Sequence, residues 1–296
     1  MVGLERIKHV REALNLSGAK ERELLLSVDG SYTNETVLKK LPEKVTLIGR
    51  IRKDVKLHFL PETKKTNGRN RIYGQQAPTP EQIRTWEDKD QYPWTQVEGF
   101  AAGKVHTFKI KVVKALKWRA AGANHTLQLV DIATLGYRLK KGGKLLYRKP
   151  TYLICTDNEL DVKNLIQAYL FRWEIEVNFK EEKTIIGAGQ AQVRNQEAVA
   201  NVPAFVVAVH GMLKLANHML EKVPDLPVQY LPKAKWEDSN IKIRKSTNTL
   251  LNIFRANIWL KNLGKSFYDF VKNQHLCTKA DIPKIDPIYE VFYMRR

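Results

Sequence analysis

The chain has 296 residues, enough for one large domain or two ordinary ones. A hydrophobic share of 43% with only 2 Cys, 16 Gly and 12 Pro gives a globular chain able to bury a core, and excludes collagen-like, disordered and disulfide-scaffold classes. Fifty Lys and Arg against 31 Asp and Glu leave a formal charge of +19, a surplus that points to a polyanion, either nucleic acid or an acidic membrane surface.

The N-terminus, MVGLERIKHVREALNLSG, is charged and amphipathic rather than a secretory signal. Its spacing predicts a helix from Leu4 to Leu14, with Ile7, Val10, Leu14 and Leu16 on one stripe. Leu24 to Val28 is a short apolar run ending in Asp29-Gly30, the pattern of a buried strand that delivers a carboxylate at its tip. Thr36 to Leu41 reads as a short helix and Val45 to Ile51 as a second buried strand, so residues 1–52 follow an α/β order. Residues 53–149 differ in texture. A basic, turn-rich loop, Lys64 to Arg71, is followed by a strand in which Phe108, Ile110 and Val112 alternate with Lys109 and Lys111, and by a partner strand from His125 to Ala133. Between residues 101 and 150 stand 12 Lys or Arg and one acid, Asp131, which reads as an electrostatic track for nucleic acid that includes Lys109, Lys111, Lys140 and Lys141. The run Lys140, Lys141, Lys144, Arg148, Lys149 reads as a phosphate-contacting turn or a solvated hairpin, and Trp94, Trp118 and Tyr137 as core aromatics or base-stacking groups. His106 and His125 read as satisfied polar groups, and Cys155 and Cys277 as unpaired thiols.

Thr151 to Thr156 is another buried-type strand, and Asp157 to Asp161 offer caps for a long helix from Val162 to about Lys183, ended by Gly187 and Gly189. A second long helix, Gln196 to Glu221, carries an apolar face. Its apolar stretch, Val202 to Leu220, is interrupted by His210, Lys214 and His218, whereas a membrane span needs about 20 nearly uncharged residues, so the expectation is a soluble, cytoplasmic protein without a membrane partner.

The segment AYLFRWEIEVNFKEEK, residues 168–183, is the most informative. On a continuous helix at about 100° per residue, Tyr169, Arg172, Glu176 and Lys183 fall within a sector of about 60°, a seam ~21 Å long. Ile166, Leu170 and Val177 flank it on one side and Ala168, Ile175 and Phe179 on the other, which predicts an active-site edge bounded by core. Metal-dependent phosphodiester chemistry needs converging carboxylates, and Mg²⁺ prefers their oxygens. Asp29 and Glu176 are two such groups from distant sequence. Arg172 offers a planar fork for phosphate, Lys183 a point charge, Tyr169 a hydroxyl donor and Trp173 a surface for an unpaired base.

The spacing Y-x2-R-x3-E-x6-K, met without a gap by Tyr169, Arg172, Glu176 and Lys183, resembles the signature of the insertion-sequence-4 group of DDE transposases, and Asp29 in VDGSY resembles that group's second catalytic aspartate. The resemblance covers about residues 1–200. It implies an α/β fold with a ribonuclease-H-like core: residues 1–52 as its first part, 53–149 as a β-rich basic insertion, 150–230 as its second part with the signature helix, and 231–296 as a C-terminal helical and basic tail. It further implies Mg²⁺- or Mn²⁺-dependent cleavage and strand transfer at transposon ends, with Asp29 and Glu176 as catalytic metal ligands. Tyr169, Arg172, Trp173 and Lys183 would lie on DNA, the partners would be end-repeat and target DNA in a homodimeric synaptic complex, and the setting would be a bacterial cytoplasm beside the nucleoid. One departure stands out. The family's triad opens with an earlier aspartate, and residues 1–28 hold no Asp. The expectation is therefore that Met1 lies inside a longer transposase, and that this chain alone is poorly soluble or pairs with the missing segment; the alternative is a truncated, non-catalytic DNA-binding remnant or inhibitor of a full-length transposase.

Overall fold

The computed structural model describes residues 2–62, 70–88, 90–101, 104–122, 124–138, 142–220 and 247–262. They fall in two compact units, Met1–Glu174 and Ile175–Arg296.

The first unit is built on a mixed sheet. Helix α1 (Val2–Leu16) leads into β1 (Leu24–Val28), and α2 (Glu35–Leu38) into β2 (Val45–Ile51), which pairs parallel to β1. Then come β3 (His58–Phe59), α3 (Pro80–Thr85), β4 (Thr95–Ala101), β5 (Lys104–Lys117), β6 (Leu127–Ile132), a hairpin of β7 (Leu135–Arg138) and β8 (Leu145–Arg148), β9 (Thr151–Cys155) and α4 (Val162–Phe171). The seven-stranded sheet has the order β1-β2-β9-β6-β5-β3, with β4 also on β5, and every pair but β1–β2 is antiparallel. Within the interval 53–149, β3 to β6 thus continue the sheet begun by β1 and β2, while β7 and β8 form a separate two-stranded sheet. Among the described strands, β1 pairs with β2 alone.

Period-2 alternation sorts the strand side chains onto two covered faces. Leu47, Ile154, Leu129 and Val113 pack with Leu38, Leu57 and Ile83 on the face that α2 and α3 cover. Ile48, Leu153, Val130 and Ile110 pack with Leu165 and Ile166 of α4 on the other. Coverage of both faces explains why β2 and β9 read as continuous apolar runs. Helix α4 comes close at Gly99, where a Cβ would stand 2.7 Å from Leu170 Cδ1. Gln167 locks this approach by accepting from Phe100 N (2.8 Å) and donating to Phe100 O (2.9 Å).

The predicted stripe on α1 is displaced. Leu4, Ile7 and Arg11 are buried, whereas Val10 is 45% exposed and Leu16 lies open. Arg11 can face inward because its guanidinium donates to the Ala19 and Arg22 carbonyls, which satisfies the charge. Cys155 is a buried free thiol, pushed up to about 12 by burial, and Cys277 lies outside the described residues.

In the second unit, the rest of α5 (Glu174–Glu181) runs into a π-helical turn (Glu182–Ile186) that Gly187 ends at φ 90°, where a side chain would be strained. Helices α6 (Gln196–Leu220) and α7 (Thr247–Asn262) follow. Helix α6 is long and apolar enough, by length and composition, to cross a membrane. Two of its polar groups turn inward, while His218 is exposed: His210 Nδ1 lies 3.2 Å from Glu182 Oε1, and Lys214 donates to Glu181 Oε2 (3.0 Å) and Thr247 Oγ1 (2.9 Å). Burial alone would push the Glu181 carboxyl up, but the Thr247 and Lys214 hydrogen bonds outweigh it and hold the group below its usual range. Phe205, Met212, Leu215 and Met219 are exposed on the same helix.

Candidate nucleic-acid interface

Val28 pairs with Gly49, and the strand ends there because Asp29 caps a tight turn over Gly30–Tyr32. Asp29 Oδ1 accepts from Gly30 N (2.7 Å), and the Asp29 carbonyl accepts from Tyr32 N (3.0 Å). Asn34 then caps α2 by accepting from Val37 N (3.1 Å). Two side-chain caps in six residues turn the chain away at once and leave the Asp29 carboxylate exposed at the strand's tip, as the sequence predicts.

That tip opens into a cleft of about 820 Å³ at the carboxyl ends of the parallel strands β1 and β2, where open α/β sheets receive ligands. Asp29, Arg50, Arg52, Lys53, Lys149 and Tyr152 line it, together with Asp54 and Glu81. Both of these other acids are occupied. Arg52 Nε pairs with Asp54 Oδ1 at 3.3 Å. Glu81 accepts from Arg84 Nε (2.9 Å) and Nη2 (2.7 Å) and from the Tyr152 hydroxyl. These bonds, Arg84 first and Tyr152 second, hold the Glu81 carboxyl down to about 2, and burial with the adjacent Glu81 pushes Tyr152 up to about 12. Of the basic side chains around Asp29, Lys149 belongs to the run expected to contact phosphate, whereas Arg50, Arg52 and Lys53 carry no such expectation, although the run Arg50-Ile51-Arg52-Lys53 at the exit of β2 was the available signal.

Lys111 leaves the predicted electrostatic track. It is 1% exposed, because β5 is covered on the face where alternation placed it outward. Its ammonium donates to the Ile83 and Trp86 carbonyls, both at 2.9 Å, and so satisfies acceptors at the C-terminus of α3; it also lies 4.9 Å from the Trp94 ring centre. Burial lowers its pKa. Its register partner, Asp131, is fully buried, and neither carboxylate oxygen has a hydrogen-bond partner among the described residues. Burial pushes this carboxyl up to about 8, against the pull of Lys111 and Arg84. Lys109 is exposed on the same strand, while Lys140 and Lys141 lie outside the described residues. Lys144, Arg148 and Lys149 belong to the β7–β8 hairpin and its exit, with Arg148 over the Tyr137 ring at 5.3 Å. His106 and His125 are satisfied by backbone, at the Ala101 and Leu38 carbonyls.

The signature segment is not one continuous helix. Asp161 caps α4 by accepting from Asn164 N (3.1 Å), as expected, but the helix ends at Phe171. Arg172 N and Trp173 N bond to Tyr169 O (3.2 Å) and Leu170 O (3.3 Å), the tightened pattern of a closing turn. Aromatic Phe171 and Trp173 and β-branched Ile175 and Val177 are weak helix formers, so little local preference bridges the joint. In the first unit, Tyr169 and Arg172 are half-buried, the guanidinium 5.8 Å from the Tyr169 ring centre, and Trp173 is exposed. Glu176 and Lys183 are exposed residues of the second unit, on α5 and the π turn. The predicted flanking core is only half present: Ile166 is buried, but Ile175 and Phe179 are 53% and 54% exposed.

Among the described residues, no three His, Cys, Asp or Glu side chains come together as a metal site. No protein-family model matches the chain, and no curated protein matches it.

Proposed function

We propose that the chain is a transposase polypeptide of the DDE type, with a ribonuclease-H-like core, whose substrate is the DNA of transposon ends. The observation that carries this reading is the gapless Tyr169-Arg172-Glu176-Lys183 spacing, joined to an aspartate, Asp29, exposed at the tip of a parallel strand. A charge of +19 supports a polyanionic substrate. Tyr169, Arg172, Trp173 and Lys183 are the assigned DNA contacts, and Lys109 adds an exposed cation on β5. Asp29 and Glu176 are carboxylates of the kind that Mg²⁺ or Mn²⁺ favours, and joining two ends calls for two copies of the chain.

A second reading is a DNA-binding remnant that occupies ends without cutting. It needs only the basic surplus and the exposed cations, with no converging carboxylates. One experiment separates the two. End-repeat DNA is titrated with the chain at several salt concentrations, then incubated with Mg²⁺ and scored for nicks, alongside Glu176→Gln. Salt-sensitive binding with nicking that Glu176→Gln abolishes supports the active reading, and the same binding without nicks in either protein supports the remnant. Absence of salt-dependent binding rejects both.

A further inference from the structure

We infer that the cleft beside Asp29 is a groove for a nucleic-acid strand, in which Arg50, Lys53 and Lys149 hold successive phosphates of the backbone. This rests on the DNA-binding reading above and assigns it residues outside the signature. Three observations carry it. The cleft opens where β1 and β2 end together and β9 begins, the crevice in which a mixed sheet leaves backbone ends and side chains turned toward a ligand. Its charges do not cancel. Asp54 is paired with Arg52, and Glu81 is saturated by Arg84 and Tyr152, whereas no carboxylate among the described residues lies within ion-pair distance of Arg50, Lys53 or Lys149. Arg50 and Lys149 thus face one acid without an ion pair, Asp29, while Lys53 also helps to hold the Glu81 carboxyl down. Finally, the volume of about 820 Å³ with Trp118 on its wall leaves room for several sugar-phosphate units and an aromatic surface for a base.

The chemistry of the lining selects among anions. These cations come from two segments, the end of β2 (Arg50, with Lys53 just beyond it) and the entry to β9 (Lys149). Together with the chain's charge of +19, they favour an extended polyanion over a single small anion. A strand lying in the groove would pass the Asp29 carboxylate, the position required of a phosphodiester in the reading above.

The test is the salt dependence of DNA binding by the intact chain, measured by fluorescence anisotropy with a labelled duplex and with the same sequence as a single strand. Neutralising one phosphate-binding cation should reduce the slope of log K against log salt by about 0.9 on duplex, and weaken binding roughly 8-fold at 0.1 M salt. Arg50→Gln combined with Lys149→Gln is therefore expected to lower the slope by about 2 and the affinity by roughly 60-fold. Lys8→Gln, an exposed lysine on α1, should change neither. Arg50→Lys with Lys149→Arg, which keeps the charges, should keep the slope. If the first pair melts early, Lys53→Gln with Lys149→Gln reads the same groove. Wild-type slope in both neutralised pairs, with binding intact, overturns the groove and leaves the DNA-binding reading standing. A wild-type chain that does not bind DNA overturns both.

Discussion

Asp131→Asn tests the physical account of the sheet's interior. Asp131 is fully exposed to solvent when the chain unfolds and titrates near its ordinary 3.8, but in the folded chain burial raises it to about 8. Between those values the folded state holds a proton that the unfolded state has released, so stability falls as pH rises through that window and levels off above it. At 1.36 kcal/mol per pKa unit, a rise of about 4 units amounts to ~5 kcal/mol from one end of the window to the other, an upper figure because water entering the site relieves part of it. Glu81 acts with the opposite sign. Its folded value near 2 adds stability above its ordinary 4.5 that disappears only in strong acid, so it contributes nothing to the window from about 5 to 8. Urea unfolding followed by tryptophan fluorescence, at about pH 5 and about pH 8, should show wild type losing several kcal/mol while Asp131→Asn, neutral and of the same shape, loses far less. Parallel losses in the two proteins would refute the claim that Asp131 is buried as an unsatisfied carboxyl.

Two further changes probe the same unit. Lys111→Ala removes the donor to the Ile83 and Trp86 carbonyls and leaves Asp131 without its nearest cation, which should cost ~3 kcal/mol in a denaturation series while leaving the salt slope of DNA binding unchanged. An altered slope with unaltered stability would return Lys111 to the DNA track. Gly99→Ala drives a methyl to within 2.7 Å of Leu170 on the α4–β4 contact, and about 1–3 kcal/mol of destabilisation is expected from overpacking, read as a lowered Tm.

Much of this architecture is legible along the chain. Val45 to Ile51 and Thr151 to Cys155 read as buried strands because a strand covered on both faces leaves an unbroken apolar run, which local composition reports directly. Gln196 to Leu220 is helical on periodicity, and Asp29 lands at a strand tip because the Asp-Gly pair stops the strand and caps the turn that follows. Caps and apolar runs are short-range properties, set by residues that adjoin one another along the chain.

What the sequence did not contain is the identity of each neighbour across the fold. Lys109 and Lys111 are equivalent in the one-dimensional pattern, yet one is exposed and the other lies beneath α3, because α3's terminal carbonyls need a donor from a strand 25 residues or more away. Arg11 takes a core position on α1 because two loop carbonyls reach it. The seam from Tyr169 to Lys183 assumed one straight helix, and weak local helix preference lets the chain turn at Arg172 and Trp173. The sequence by itself determined the strands β2 and β9, the strand tip at Asp29 and the helix of Gln196–Leu220, and it carried the spacing on which the functional proposal rests. Only the tertiary structure decided which charges reach solvent, since desolvation depends on what covers a side chain, and that cover comes from residues distant along the chain.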